Sequence, residues 1–373
     1  MKSTSCFLLL FFAFNVVMAQ NDPALLTING KSFLRSEFEY IYNKSHLVDK
    51  DKQVSLKEGL LLFENYKLKV AEAESMGLDT AAPFRNLLLE YRQQVAQTYL
   101  TDSLIDDRVA RALYDSLKLK GAIPDENMTF GNMKKSLLRF YAVRHEGFTP
   151  GTQSVIARVR KNDRLASEMS NKEVLAYEYL QLERKYPEFT HQIQEYHDGI
   201  LLAEISAKYF EHNPETDSIA LAKFFKKHRK NYKWNAPHYK GALIMCKDND
   251  TYKRVKRVIK EIPFQKWNDV VKLNFSSHDS ISFESGIYVE GNNRFIDQLI
   301  FKKRNGAVGH YPVARTYGKL LKKYPHEYRD VLNLVTVDYK EYLEKLWIDS
   351  LMGKYKVEIN EQVLKTVNDH AKN

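Results

Sequence analysis

The chain has 373 residues, with 57 Lys and Arg against 47 Asp and Glu, a formal charge of +10. Hydrophobic residues make up 44% and aromatics 12%, which supports a real core and excludes an intrinsically disordered chain. Two cysteines, Cys6 and Cys246, are too few and too far apart for a CxxC pair or a cysteine-based zinc cluster.

The first element in chain order is a leader. Met1-Lys2 opens on a cation, Cys6 to Ala19 is apolar apart from Asn15, and Val17 and Ala19 occupy the −3 and −1 positions of a cleavage site. The apolar run is short of the roughly 20 residues that span a bilayer, so the pattern predicts a secretory signal cut after Ala19. Such a chain works outside the cytoplasm, here taken as periplasmic, where ATP and reduced nicotinamides are scarce. Cys6 leaves with the signal, and Cys246 then has no disulfide partner.

Thr27 to Phe33 reads as a hairpin, because Asn29-Gly30 suits the positive backbone angles of a type I′ turn. Ser36-Glu37-Phe38-Glu39 has capping-box spacing for a first helix, and Ser55-Leu56-Lys57-Glu58 for a second. The second carries Leu56, Leu60, Phe63, Lys67 and Val70 on one stripe and is stopped by Gly77. Two more helices follow from Pro83 and Ser103. The segment 121–169 is expected to be an irregular connection, with breaks at Gly121–Gly131 and Gly147–Gly151. A third capping box, Ser170-Asn171-Lys172-Glu173, opens a helix to Tyr186-Pro187, followed by a longer helix through Ile205 and another over about 218–232. After Trp234 the order becomes strand (Tyr239–Cys246), two helices, strand (Ser282–Glu290), short helix and strand (to Leu321), which predicts a small α+β unit. Pro325 to Met352 returns to helix, Val357–Ile359 is extended, and Glu361–His370 is a terminal helix.

The expected fold is therefore mainly α with a smaller α+β module. Its divisions are a signal at 1–19, a helical scaffold at 20–120 and 170–235 around the connection 121–169, the α+β module at 236–321, and a C-terminal helix and tail at 322–373 that return to the scaffold. Lys223 to Lys266 holds fourteen Lys and Arg against three acids, which accounts for the whole net charge. The stretch reads first as a solvated helix face. As a contact it suits acidic clients or an anionic membrane surface, and outside the cytoplasm nucleic acid is not an expected partner.

Several segments carry a resemblance. Ile28-Asn29-Gly30 with Glu37 to Lys44, Tyr66 to Glu74 with Gly77 to Thr80, Tyr91-Arg92 with Tyr99-Leu100, Lys185 to Phe189, Glu195 to Leu202, Asp338-Tyr339 with Leu343 to Ile348, and Lys354 to Asn360 together resemble SurA-type, PpiC-type (parvulin) periplasmic peptidyl-prolyl isomerase-chaperones of Bacteroidetes-like bacteria. The resemblance implies a helical chaperone scaffold whose clients are unfolded or nascent envelope proteins. It also implies parvulin domains, and here the chain departs. Their alanine-x-histidine-isoleucine-leucine strand and glycine-glycine-x-leucine-glycine turn are absent, and the last strand has Lys319 where the family has histidine. Gly306 to Val313 with Thr316 to Leu321 echoes only the end of such a domain, so 236–321 reads as a degenerate parvulin-like module.

For prolyl isomerisation the candidates are His238, Cys246 and His310. No HExxH, GxSxG or P-loop is present, and His145-Glu146, His191 and His197-Asp198 lack metal-ligand spacing and read as solvated or capping residues. Sequons at Asn43, Asn127 and Asn274 occur at the rate of chance. No catalytic residue, metal or cofactor is assigned. The expected function is ATP-independent holding of unfolded outer-membrane or secreted proteins, with an active isomerase or a structural envelope subunit as alternatives.

Overall fold

A computed structural model describes residues 22–48, 54–123, 128–211, 217–275, 281–303 and 310–367. The expected signal at 1–19, the sequon at Asn127, Gly306 to Gly309 and positions 368–370 lie outside these residues, and the terminal helix expected to reach His370 already ends at Leu364. The protein is mainly helical with two three-stranded antiparallel sheets. The chain divides into two compact units, one formed by residues up to Tyr209 and from Trp347 onward, the other by Phe210–Leu346.

The first unit begins with β1 (Ala24–Ile28) and β2 (Lys31–Leu34), joined by Asn29 and Gly30 at φ 46° and 84°. Both angles are positive, as a type I′ turn requires. β6 (Val357–Ile359), from the other end of the chain, pairs with β1 in antiparallel register, Leu26 opposite Ile359 and Ile28 opposite Val357. The sheet order is β2-β1-β6. Asn29 fastens this junction twice, its amide donating to the Lys356 carbonyl and its side-chain oxygen accepting from the Lys356 amide, each at 2.9 Å.

Eight helices follow: α1 (Arg35–Val48), α2 (Leu56–Ser75), α3 (Ala82–Leu100), α4 (Ser103–Leu119), α5 (Phe130–Val143), α6 (Pro150–Asn162), α7 (Asn171–Lys185) and α8 (Pro187–Tyr209). The capping boxes at Ser55 and Ser170 are formed, with the Ser55 and Ser170 amides donating to Glu58 and Glu173 at 3.0 and 2.8 Å. Gly77 lies in the left-handed conformation at φ 70°, as a helix stop requires. The box expected at Ser36 is absent. β2 runs directly into α1, Ser36 is already inside the helix, and Asp22 accepts from its amide at 3.1 Å.

The connection expected at 121–169 is another correction, because α5 and α6 lie within it. Thr129 and Thr149 cap their N-termini, and Pro150 occupies the first helical position, where it costs no hydrogen bond. Buried Asp106 of α4 accepts from the Gly151 amide at 2.6 Å and from the Thr149 hydroxyl at 3.1 Å, tying α6 to α4. Val155, Ile156 and Val159 of α6 pack with Ala166 and with Val174 of α7, while Val95, Ala96 and Leu100 of α3 pack with Leu182 and Phe189.

The second unit contains α9 (Ser218–His228), β3 (His238–Cys246), α10 (Asn249–Lys260), α11 (Trp267–Asn274), β4 (Ile281–Tyr288), α12 (Arg294–Leu299) and β5 (Val313–Leu321). The order of elements is the one expected from 239–321, and the sheet runs β4-β3-β5. Alternation along β3 sends Ala242, Ile244 and Cys246 against Val255 and Ile259 of α10 and Trp267 and Val271 of α11. Tyr239 and Leu243 pack on the other face with Tyr288 and Ile296. The divisions at 235 and 321 are not those of the compact units. Leu221, Phe225 and Tyr232 form one core with Tyr328 and with Val335 of α13 (Leu332–Lys354). That core places α9 and α13 up to Leu346 in the second unit, while α13 from Trp347 belongs to the first. A short helix, α14 (Glu361–Leu364), follows β6.

Candidate functional site

Within the first unit, α1, α2 and α8 surround a buried charge. Lys67 is 0% exposed, and its ammonium donates to both Glu37 and Asp198, the latter 1% exposed. Asp198 also receives Gln194 and His197, each at 2.8 Å. The ammonium sits 4.9, 5.2 and 5.1 Å from the ring centroids of Phe33, Phe63 and Tyr66. A lone ammonium in such a place would cost several kcal/mol, and the two carboxylates and three ring faces are what make it tolerable.

The carboxylates differ. Burial pushes the Glu37 carboxyl above its ordinary 4.5, outweighing the neighbouring lysine. Burial pushes Asp198 the same way, but the hydrogen bonds from His197 and Lys67 and the lysine's charge prevail and hold it below 3.8. The Tyr66 phenol is raised by burial and by the negative charges of Asp198 and Glu37 beside it. It therefore stays protonated.

On the outer side of this network lies a cleft of about 430 Å³. Phe38, Ile41 and Tyr42 of α1, Leu62, Phe63 and Tyr66 of α2, and Glu195 and Gly199 of α8 line it, with Gly59 and Val54 completing the wall. Phe63 and Tyr66 thus serve both cleft and network. Gly59 is required by contact, since a Cβ there would lie 2.6 Å from the Tyr42 ring. The Tyr42 hydroxyl donates to the Val54 carbonyl at 3.0 Å, and Lys44 pairs with Glu195 at 2.6 Å on the rim. Leu62 is 60% exposed at the lip. The lining is apolar and aromatic with one carboxylate, an arrangement suited to binding apolar side chains.

Of the isomerase candidates, His238 and Cys246 are not brought together. His238 and Cys246 end the same nine-residue strand, about 27 Å apart at the usual rise per residue. His238 stacks on Trp234 at 4.0 Å and bonds the Ala236 carbonyl at 2.9 Å. Cys246 is buried, its thiol raised by that burial and donating to the Asp248 carbonyl at 3.2 Å. His310 is exposed ahead of β5. His145 stacks on Tyr141 and bonds its carbonyl at 2.8 Å, and Glu146 accepts from the Asn171 side chain, 25 residues on, at 2.8 Å. His191 stacks on Tyr40, and burial lowers its pKa. Asn274 bonds the Val270 carbonyl in its own helix at 2.8 Å.

Asp198 corrects the expectation of a solvated residue: it is the buried partner of Lys67. The signal for the network was present in the sequence as a lysine on an apolar stripe, four residues after Phe63 and three before Val70. Among the described residues no group of three or more His, Cys, Asp and Glu could hold a metal ion. No described helix is long and apolar enough to cross a membrane. The stretches around Glu37, Lys67 and Asp198 are separate in sequence and meet at this site. No known family, curated protein or solved structure matches the chain.

Proposed function

We propose that this protein is an extracytoplasmic, ATP-independent chaperone of the SurA type that holds unfolded envelope proteins through the cleft between α1, α2 and α8. The observation that carries the reading is the origin of the cleft walls. Six of its ten lining residues come from three of the stretches on which the resemblance rests, 37–44, 66–74 and 195–202, and the Lys67 network ties those stretches together through Glu37 and Asp198. An open aromatic lining gives contact area to many apolar side chains without requiring one partner. Binding unfolded chains alone shifts their folding and aggregation equilibria by mass action, so no covalent chemistry is needed. The address rests on the leader at 1–19, and the module at 236–321 is taken as a parvulin relative that lost its catalytic residues.

The test is light scattering from a urea-denatured outer-membrane β-barrel diluted into buffer. The protein is expected to suppress aggregation without nucleotide, and Leu62→Asp to lose most of that effect while melting like wild type. Unchanged scattering with wild-type protein sinks the reading. In a proline-peptide turnover assay no acceleration is expected, because His238 and Cys246 stand at opposite ends of β3 and Cys246 is buried.

A further inference from the structure

We propose that the outward face of α10, extended by Arg315 of β5, docks this protein on an anionic phospholipid membrane. Val255 and Ile259 are fully buried against the sheet, so α10 cannot turn its apolar side into a bilayer. What it presents instead is a rigid cationic face, with Lys253, Arg254, Lys256, Arg257 and Lys260 all exposed. Asp250 pairs with Lys253 at 3.2 Å and Glu261 with Lys260 at 3.7 Å.

The flanks of the helix decide which polyanion fits. Lys256 lies 5.3 Å from the Tyr317 ring, Arg254 5.3 Å from Phe275 and Arg315 5.6 Å from Tyr252. Cations set over aromatic rings, two of them amphipathic tyrosines, match the headgroup level of a membrane, where rings and basic side chains sit together. Nucleic-acid bases stack on open ring faces, and these rings lie beneath cations. Leu273, 84% exposed, is the penultimate residue of α11, two residues before Phe275. An apolar side chain there gains from a hydrocarbon layer behind the anionic one, which an acidic polypeptide does not have. This surface acts independently of the cleft, so the two proposals stand or fall separately.

The test is co-sedimentation of the full chain with vesicles of phosphatidylcholine alone and of an equimolar mixture with phosphatidylglycerol. Binding is expected only to the mixture, and to vanish when ionic strength rises from about 0.05 M to about 0.5 M, where screening is nearly complete. Replacing Lys253, Lys256 and Arg257 by Gln together removes three cations and should weaken partitioning on the order of 100-fold. Equal binding to both vesicles, or a folded triple variant that binds like wild type, overturns the proposal. So does duplex DNA or polyglutamate that binds as tightly as the mixed vesicles, since the face would then be a general polyanion site. If the triple variant fails to fold, the salt titration and the lipid comparison on wild type decide.

Discussion

Lys67 shows how one residue can carry opposite meanings at two levels of description. On the helical stripe of α2 it stands where an apolar side chain belongs, and burial alone would make it a defect. Glu37 and Asp198 convert it into a tie between α1, α2 and α8. Replacing it by Met fits the volume but strands two carboxylates, so Lys67→Met should cost about 3–5 kcal/mol in urea unfolding. Adding Glu37→Gln and Asp198→Asn to that change should recover part of the loss, because no buried charge is then left unpaired. The pH dependence has two parts of opposite sign. Glu37, raised above 4.5, binds its proton more tightly folded than unfolded, so through this group stability rises as pH falls from neutral toward 4.5. Asp198, held below 3.8, stabilises the fold above that value and ceases to do so as pH falls through its folded pKa. Melting temperatures across pH should therefore lose part of their acid decline in Asp198→Asn, and part of their gain between neutrality and 4.5 in Glu37→Gln. The partner carboxylates were not legible beforehand, because nothing local to position 37 or 198 records that a lysine lies opposite.

At the scale of elements, the helices with a broad apolar stripe or a formed capping box were legible from residues alone. Ser170→Ala should test how much such a box matters, with about 1 kcal/mol lost in chemical denaturation. α5 and α6 escaped because their buried stripes are narrow, Leu137 alone in α5 and mainly Val155, Ile156 and Val159 in α6. Much of what holds α6 is polar and distant, through Asp106 of α4. The threonine caps, and Thr149-Pro150 above all, were the available signals. At Ser36 the sequence offered a correct motif that the fold does not use, since β2 leaves no turn for a box and Asp22 supplies the acceptor.

At the scale of the molecule, the composition and the periodicity change after Trp234 already separated a helical part from an α+β part. The sequence did not show where each part closes. α9 has an apolar face that could serve either unit, and its partners Tyr328 and Val335 lie about a hundred residues further on. Residues 217–346 produced alone should therefore unfold cooperatively, whereas 236–321 alone, lacking that core, should not; circular dichroism melts distinguish the two. Local order along the chain was set by the sequence itself: the Asn29-Gly30 turn, the caps at Ser55 and Ser170, the alternation in β3 and the charge of α10 depend on neighbours within a few residues. Tertiary structure alone decided the pairing of β6 with β1, the closure of the second unit and the ion pairs around Lys67. The physical reason is that each of these satisfies a strand edge, an apolar face or a buried charge with a group far away in the chain. The local pattern records the need for a partner without recording which residue meets it.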